Sequence, residues 1–184
     1  MTQEVERAVD IAAIVDVKLN SSFAQFADPD VIHLTGIPEN STMQFKKIMR
    51  DYTIGDDDFG DLHLFIRYDF GVRIMVQEDV IDGDGNIEQK ELATIEACFL
   101  ARYLMQGAEP DQKTIENFAT SVGMFNVWPY WREYASDVSR RMGLDGIVIP
   151  LFKLRFNNNK QKNNPIAKKR LAKSTKKTIV KPAK

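Results

Sequence analysis

From Leu62 to Val76 every even-numbered position is apolar: Leu62, Leu64, Ile66, Tyr68, Phe70, Val72, Ile74 and Val76. The opposite parity carries His63, Arg67, Asp69, Arg73 and Gln77. Alternation of this length predicts one long antiparallel strand with a single buried face. Ile95, Ala97, Phe99, Ala101, Tyr103 and Met105 repeat the pattern against Thr94, Glu96 and Arg102. Between the two lies Val80-Ile81-Asp82-Gly83-Asp84-Gly85-Asn86, whose Asp and Gly residues predict a hairpin connection. Val15, Val17, Leu19 and Phe23, set against outward Asp16, Lys18 and Asn20, predict an earlier strand. Residues 43–54 form a fourth candidate, in which Phe45, Ile48 and Tyr52 are apolar but keep no clean period.

The period then changes. Residues 110–120 place Ile115, Phe118 and Ala119 on one side of a short helix. Trp131, Ala135, Val138 and Met142 recur at helical spacing in a second, over about 128–142. Pro129 suits its first turn, where a missing N–H is not felt. Arg132, Glu133, Asp137, Arg140 and Arg141 occupy its other faces, with Asp137 and Arg141 at i,i+4 spacing. Gly143 supplies a stop. Strands first and helices afterwards predict an α+β domain: a four-stranded antiparallel sheet, a short helix, and an amphipathic helix packed on the sheet.

Beyond Phe156 the chain turns to Asn, Gln and Lys. Residues 157–184 read as a disordered Lys-rich tail, leaving 1–156 as the folded domain. The near-neutral net charge of −1 conceals this division. Residues 151–184 hold twelve Lys/Arg and no acid; taken from 25, they leave 13 basic against 26 acidic residues in the body. Such a tail raises solubility, folds back on the acidic body, or contacts an anionic partner such as RNA, the ribosome or anionic lipid. Arginines interleaved with aromatics, the mark of base recognition, are absent from it.

The candidate chemistry is sparse. Asp82, Asp84 and Asn86 imitate the start of a calcium loop, but Ile87 stands where its Gly belongs and Ala93 where its Glu belongs. His33, His63 and Cys98 cannot build a zinc site without carboxylates, and His63 reads as a solvated side chain. Cys98, mid-strand, is expected to be buried and inert. Asp56-Asp57-Asp58 reads as a solvated loop. No nucleophile elbow and no phosphate-binding glycine loop occurs, so the chain reads as a non-enzyme without cofactor or metal. Its acidic start has no basic and apolar leader, and its apolar runs fall short of the roughly 18 residues of a membrane span. With one cysteine, this predicts a cytoplasmic protein.

The stretch Asn126-Val127-Trp128-Pro129-Tyr130-Trp131-Arg132-Glu133, closing on Arg140-Arg141-Met142-Gly143, resembles a signature of the SecB chaperone family. Members open a helix on Phe-Pro-Tyr-Ala-Arg-Glu, close it on Arg-Gly and continue into an extended Pro-containing segment. The matching residues are Trp128, Pro129, Tyr130, Arg132, Glu133, Arg141 and Gly143, followed by Ile147-Val148-Ile149-Pro150-Leu151. The Trp-rich version is similar to the divergent SecB-like branch, some of whose members serve toxin–antitoxin systems.

The resemblance implies an ATP-independent holding chaperone assembled as a homotetramer, a dimer of dimers. Its clients would be unfolded polypeptides, either export precursors or an antitoxin. A surface for many clients needs aromatic and methionine side chains rather than directional contacts. Phe26, Phe45, Phe65, Trp128, Trp131 and Tyr134 are the candidate client-binding residues, with Met75 as a further uncovered apolar residue. Docking to the export motor SecA, by contrast, uses acids on the outer sheet face; Asn20 and Ala24 stand where two are expected, and only Glu96 matches. The other reading is a nucleic-acid or ribosome adaptor acting through the basic tail.

Overall fold

The computed structural model describes residues 11–28, 36–81, 87–107 and 109–153. Four strands, β1 (Ala12–Phe26), β2 (Ser41–Asp56), β3 (Leu62–Ile81) and β4 (Ile87–Met105), form one antiparallel sheet in the order β1-β4-β3-β2. The two strands with clean alternation are the central pair, and the two weaker patterns are the edges. Central strands bury one face along their whole length, whereas edge strands escape that constraint. The hairpin residues 82–86, His33 and the tail lie outside the described residues.

Leu64, Ile66, Tyr68, Phe70, Val72 and Ile74 of β3 and Ile95, Ala97, Phe99, Ala101 and Tyr103 of β4 face one way and are buried. Bulges change the reading of β1. Extra residues at Val15 and Asn20 break its register with β4, so Val17 and Leu19 oppose Ala101 and Phe99 while Phe23 opposes Glu96 on the other face. The four apolar residues read as one inward row are thus divided between both sides. His63 departs from expectation too. It is 6% exposed and its Nε2 lies 3.1 Å from Asp57 Oδ2, because the turn after β2 folds over it. Asp57 also shapes that turn, since its Oδ1 accepts the Phe59 and Asp61 amides at 2.9 Å.

Helix α1 (Gln112–Phe118) is capped by Asp111, which accepts the Thr114 amide at 3.0 Å. A π-helical turn, Ala119–Gly123, links it without a break to α2 (Met124–Arg141). Two buried tyrosines hold that turn on the sheet: Tyr68 donates to the Ala119 carbonyl at 2.9 Å and Tyr103 to the Gly123 carbonyl at 3.1 Å. Position 123 must be glycine, since a Cβ there would collide with the Tyr68 hydroxyl.

The second helix starts earlier than its pattern predicts, and Pro129 lies inside it rather than in its first turn. Pro129 and Phe125, whose carbonyl loses its helical donor, are both on the exposed side, where water can serve that carbonyl. Burial of Met124 and Val127 extends the helix backward through this point. Its far end closes as expected. Gly143, at φ +74°, donates to the Arg140 carbonyl, and Leu144 donates to that of Ser139, a Schellman closure.

Candidate client-binding face

Phe70 is the hub of the helix-side face. Trp128 meets it edge-on at 5.4 Å and Trp131 stacks at 5.9 Å, while Tyr134 lies edge-on to Phe99 at 6.3 Å. Rings at these separations combine large apolar burial with favourable quadrupole geometry. Trp131 is 0% exposed and Trp128 is buried, so neither presents a free face to a client in this chain. Helical period places both directly over β3, and the sheet closes on them. Their role as lining residues is replaced by a role in the core.

Behind the helix, residues 144–153 return as an extended strap. Leu144, Ile147 and Ile149 are buried. The strap is fixed by side chains of the signature itself. Trp128 Nε1 donates to the Pro150 carbonyl at 2.8 Å and Arg132 Nε to the Ile149 carbonyl at 2.9 Å. Ser139 Oγ accepts the Ile147 amide at 3.0 Å. The strap delivers Phe152 onto Trp128 and Phe125, at 5.4 and 6.3 Å, and Lys47 Nζ sits 5.0 Å from the Phe152 ring centre. The other signature residues face outward: Tyr130 and Glu133 are exposed, and Arg141 pairs with Asp137 at 2.8 Å.

Uncovered apolar residues flank this sandwich on both margins. On β2, Met43 and Phe45 share the helix side with Ile74 and Val72, and Phe45 is 43% exposed. On β1, Ile14 and Leu19 share it with Tyr103 and Phe99, and Leu19 is 48% exposed. Phe26, half-buried at the end of β1, lies on this side opposite Ala93. Phe45 sits within β2, as its pattern predicts, and Phe26 is the last residue of β1. Phe65 is separated from the rest. Two-residue periodicity places it on the outer face, between Thr53 and Arg102, and Met75 likewise lies opposite Thr42.

The outer face has another character. Arg67 grips Asp51 with two donors, Arg50 pairs with Asp69 at 3.6 Å, Lys46 with Glu96 at 3.3 Å, Arg73 with Glu91 at 2.9 Å and Arg102 with Asp16 at 3.2 Å. A depression of about 220 Å³ between Phe23, Lys46, Arg50, Asp69 and Glu96 is walled by these paired charges. Cys98 lies at its floor, and burial pushes its thiol above the ordinary value, which suppresses the thiolate. Among the described residues no group of three or more His, Cys, Asp or Glu could hold a metal ion, and no helix is long and apolar enough to cross a membrane.

A solved structure of the Mycobacterium tuberculosis SecB-like chaperone Rv1957, in complex with a ChAD peptide from the Rv1956 HigA1 antitoxin, superimposes with a TM-score of 0.62 at 19% identity. The match takes in 84% of this chain and all of that one. The fold is SecB-like. In sequence, the SecB-like chaperones Rv1957 and MT2006, from two M. tuberculosis strains, are each 30% identical to the chain over 78 and 77 residues. Those stretches cover 40% of this chain and 43% and 42% of the relatives, so the match spans less than half of their length. No protein-family model matches. The Trp-Pro-Tyr-Trp signature lies inside a helix packed on a SecB-like sheet, and Trp128 and Arg132 tie down the strap behind it.

Sequence reasoning missed Phe125, Phe152 and the exposed Met43. Phe125 precedes the proline whose chemistry suggests a helix start, so the pattern hides it. Phe152 breaks the Ile147/Ile149 alternation, which points instead to Leu151, a residue 70% exposed, so a period-two reading passes it over.

Proposed function

We propose that the protein is an ATP-independent holding chaperone for unfolded polypeptides. The observation that carries this reading is the pair of uncovered apolar margins beside the helix-side core: Met43 and Phe45 on β2, Ile14 and Leu19 on β1. Exposed apolar side chains along strands are an aggregation hazard unless they have a partner. Non-native chains supply one, since they expose apolar segments without fixed geometry. The likeness to SecB-like chaperones, one of them solved with an antitoxin peptide, supports the same reading and makes an antitoxin a natural client, alongside export precursors. Assembly as a homotetramer, a dimer of dimers in the cytoplasm, belongs to this proposal. The outer face speaks against SecA docking, because Glu96, its matching acid, is paired with Lys46.

The test is light scattering of a refolding client. The purified chain should slow aggregation near one oligomer per client without nucleotide. Aggregation unaffected at any ratio would contradict the proposal. Deleting residues 157–184 should leave holding in place; loss of all activity on that deletion would favour an adaptor acting through the tail.

A further inference from the structure

The strap heads somewhere. Ile147 is held by Ser139, Ile149 by Arg132 and Pro150 by Trp128, and Phe152 packs on Phe125, so the chain travels antiparallel to α2. It arrives beside Lys47, which is in register with Phe70. The same heading leads on to Met49, Tyr52 and Ile54, the helix-side residues of the second half of β2. These three pack on the core yet stay partly open. Beyond them stands the turn of Asp57–Asp61, flanked by Asp56. Asp56, Asp58 and Asp61 are exposed there around Phe59, which is 91% exposed.

The sequence after Lys153 matches this path in two respects. Leu154 and Phe156 continue the alternation that Phe152 begins, with Lys153 and Arg155 between them. The charge is complementary: residues 151–184 carry twelve Lys/Arg and no acid, in a chain whose body is acidic. Length also agrees. From Lys47 to Asp56 the strand covers roughly 30 Å at about 3.3 Å per residue, a distance that about nine extended residues span. Counted from Phe152, this brings Lys160 and Lys162 to the acidic turn.

We propose that this margin of β2 is the docking site of the chain's own next segment, residues 154–162. Leu154 and Phe156 cover Met49, Tyr52 and Ile54, and Lys160 and Lys162 lie against Asp56, Asp58 and Asp61. A lysine over the Phe59 ring adds a cation–π contact. The docked segment prolongs an interface already built by Phe152.

The test uses the full chain with Gln161→Cys carrying a nitroxide in a Cys98→Ser background, so that Lys160 and Lys162 are both kept. Nuclear magnetic resonance signals of Met49, Tyr52, Ile54 and the 57–61 turn should be strongly broadened, and those of Lys18 and Phe23 on the opposite margin should not. Adding Leu154→Glu and Phe156→Glu should abolish the broadening while the signals of β3 and β4 keep their positions. No broadening, or broadening spread evenly over both margins, overturns the proposal. Broadening that transfers to unlabelled copies in a mixed sample overturns it as well, because the occupant is then a second copy.

Discussion

The two faces of the sheet solve the same problem in opposite ways. On the helix side, the central strands meet Trp128, Trp131, Phe118 and Ile115, and the contacts are apolar and closed. On the outer side no described helix arrives, and five ion pairs link neighbouring side chains across the strands. Exposed ion pairs contribute little each, with a usual range of about 0–1 kcal/mol. Burial of one large apolar side chain contributes about 1.5–3 kcal/mol. The helix side therefore carries the stability, and the outer side carries solubility and register. Apolar residues left open at the rim of a stabilising face are well placed for function, since a rim residue can be changed without opening the core.

That comparison is sharpened by substitutions on either face. Trp131→Ala should cost about 3–5 kcal/mol in chemical denaturation, because it empties the space above Phe70. A loss below about 1 kcal/mol would show that α2 is not a structural support.

Alkaline pH should act next, through the π-helical turn. Burial pushes the Tyr68 and Tyr103 hydroxyls well above their ordinary range. An unfolded tyrosine titrates near pH 10. The stabilisation is thus fully present below about pH 10 and is lost as pH rises above it, since only the unfolded state then releases protons. Each tyrosine should reduce the folding constant roughly tenfold per pH unit in that window. Tyr103→Phe should weaken this slope, and an unchanged slope would contradict the assignment.

Arg132→Met removes the donor to the Ile149 carbonyl and should cost about 1–3 kcal/mol. Faster hydrogen exchange at residues 147–152 would report the loosened strap. Smallest of all, Lys46→Ala on the outer face should change stability by less than about 1 kcal/mol, with a coupling to Glu96→Ala that shrinks in salt.

How far the sequence foretold this depends on which residues had a neighbour to answer to. Strands β3 and β4 alternate cleanly because each is flanked on both sides and roofed by helices, so one slip would turn Phe70 or Phe99 to the wrong face. The edges are under no such constraint. Bulges at Val15 and Asn20 reversed the facing of Phe23, and a bulge leaves no trace in composition. Among the six candidate residues, Phe45 and Phe26 were brought to the helix-side rim, while Phe65 went to the other face by simple parity. Trp131 was legible as part of a packing stripe with Ala135, Val138 and Met142, whereas the closed burial of both Trp128 and Trp131 was not. Only the sheet beneath them, held at Phe70, decides that. The polar half of the signature was legible least, because Arg132 acts on a carbonyl 17 residues later.

A direct test of the central claim sets Phe45→Glu against Phe65→Glu, one residue on each face, in the same aggregation assay. Phe45→Glu should weaken client holding severalfold with little change in stability, and Phe65→Glu should leave holding intact. Holding that survives Phe45→Glu but fails with Phe65→Glu would place client binding on the ion-paired face and contradict the account.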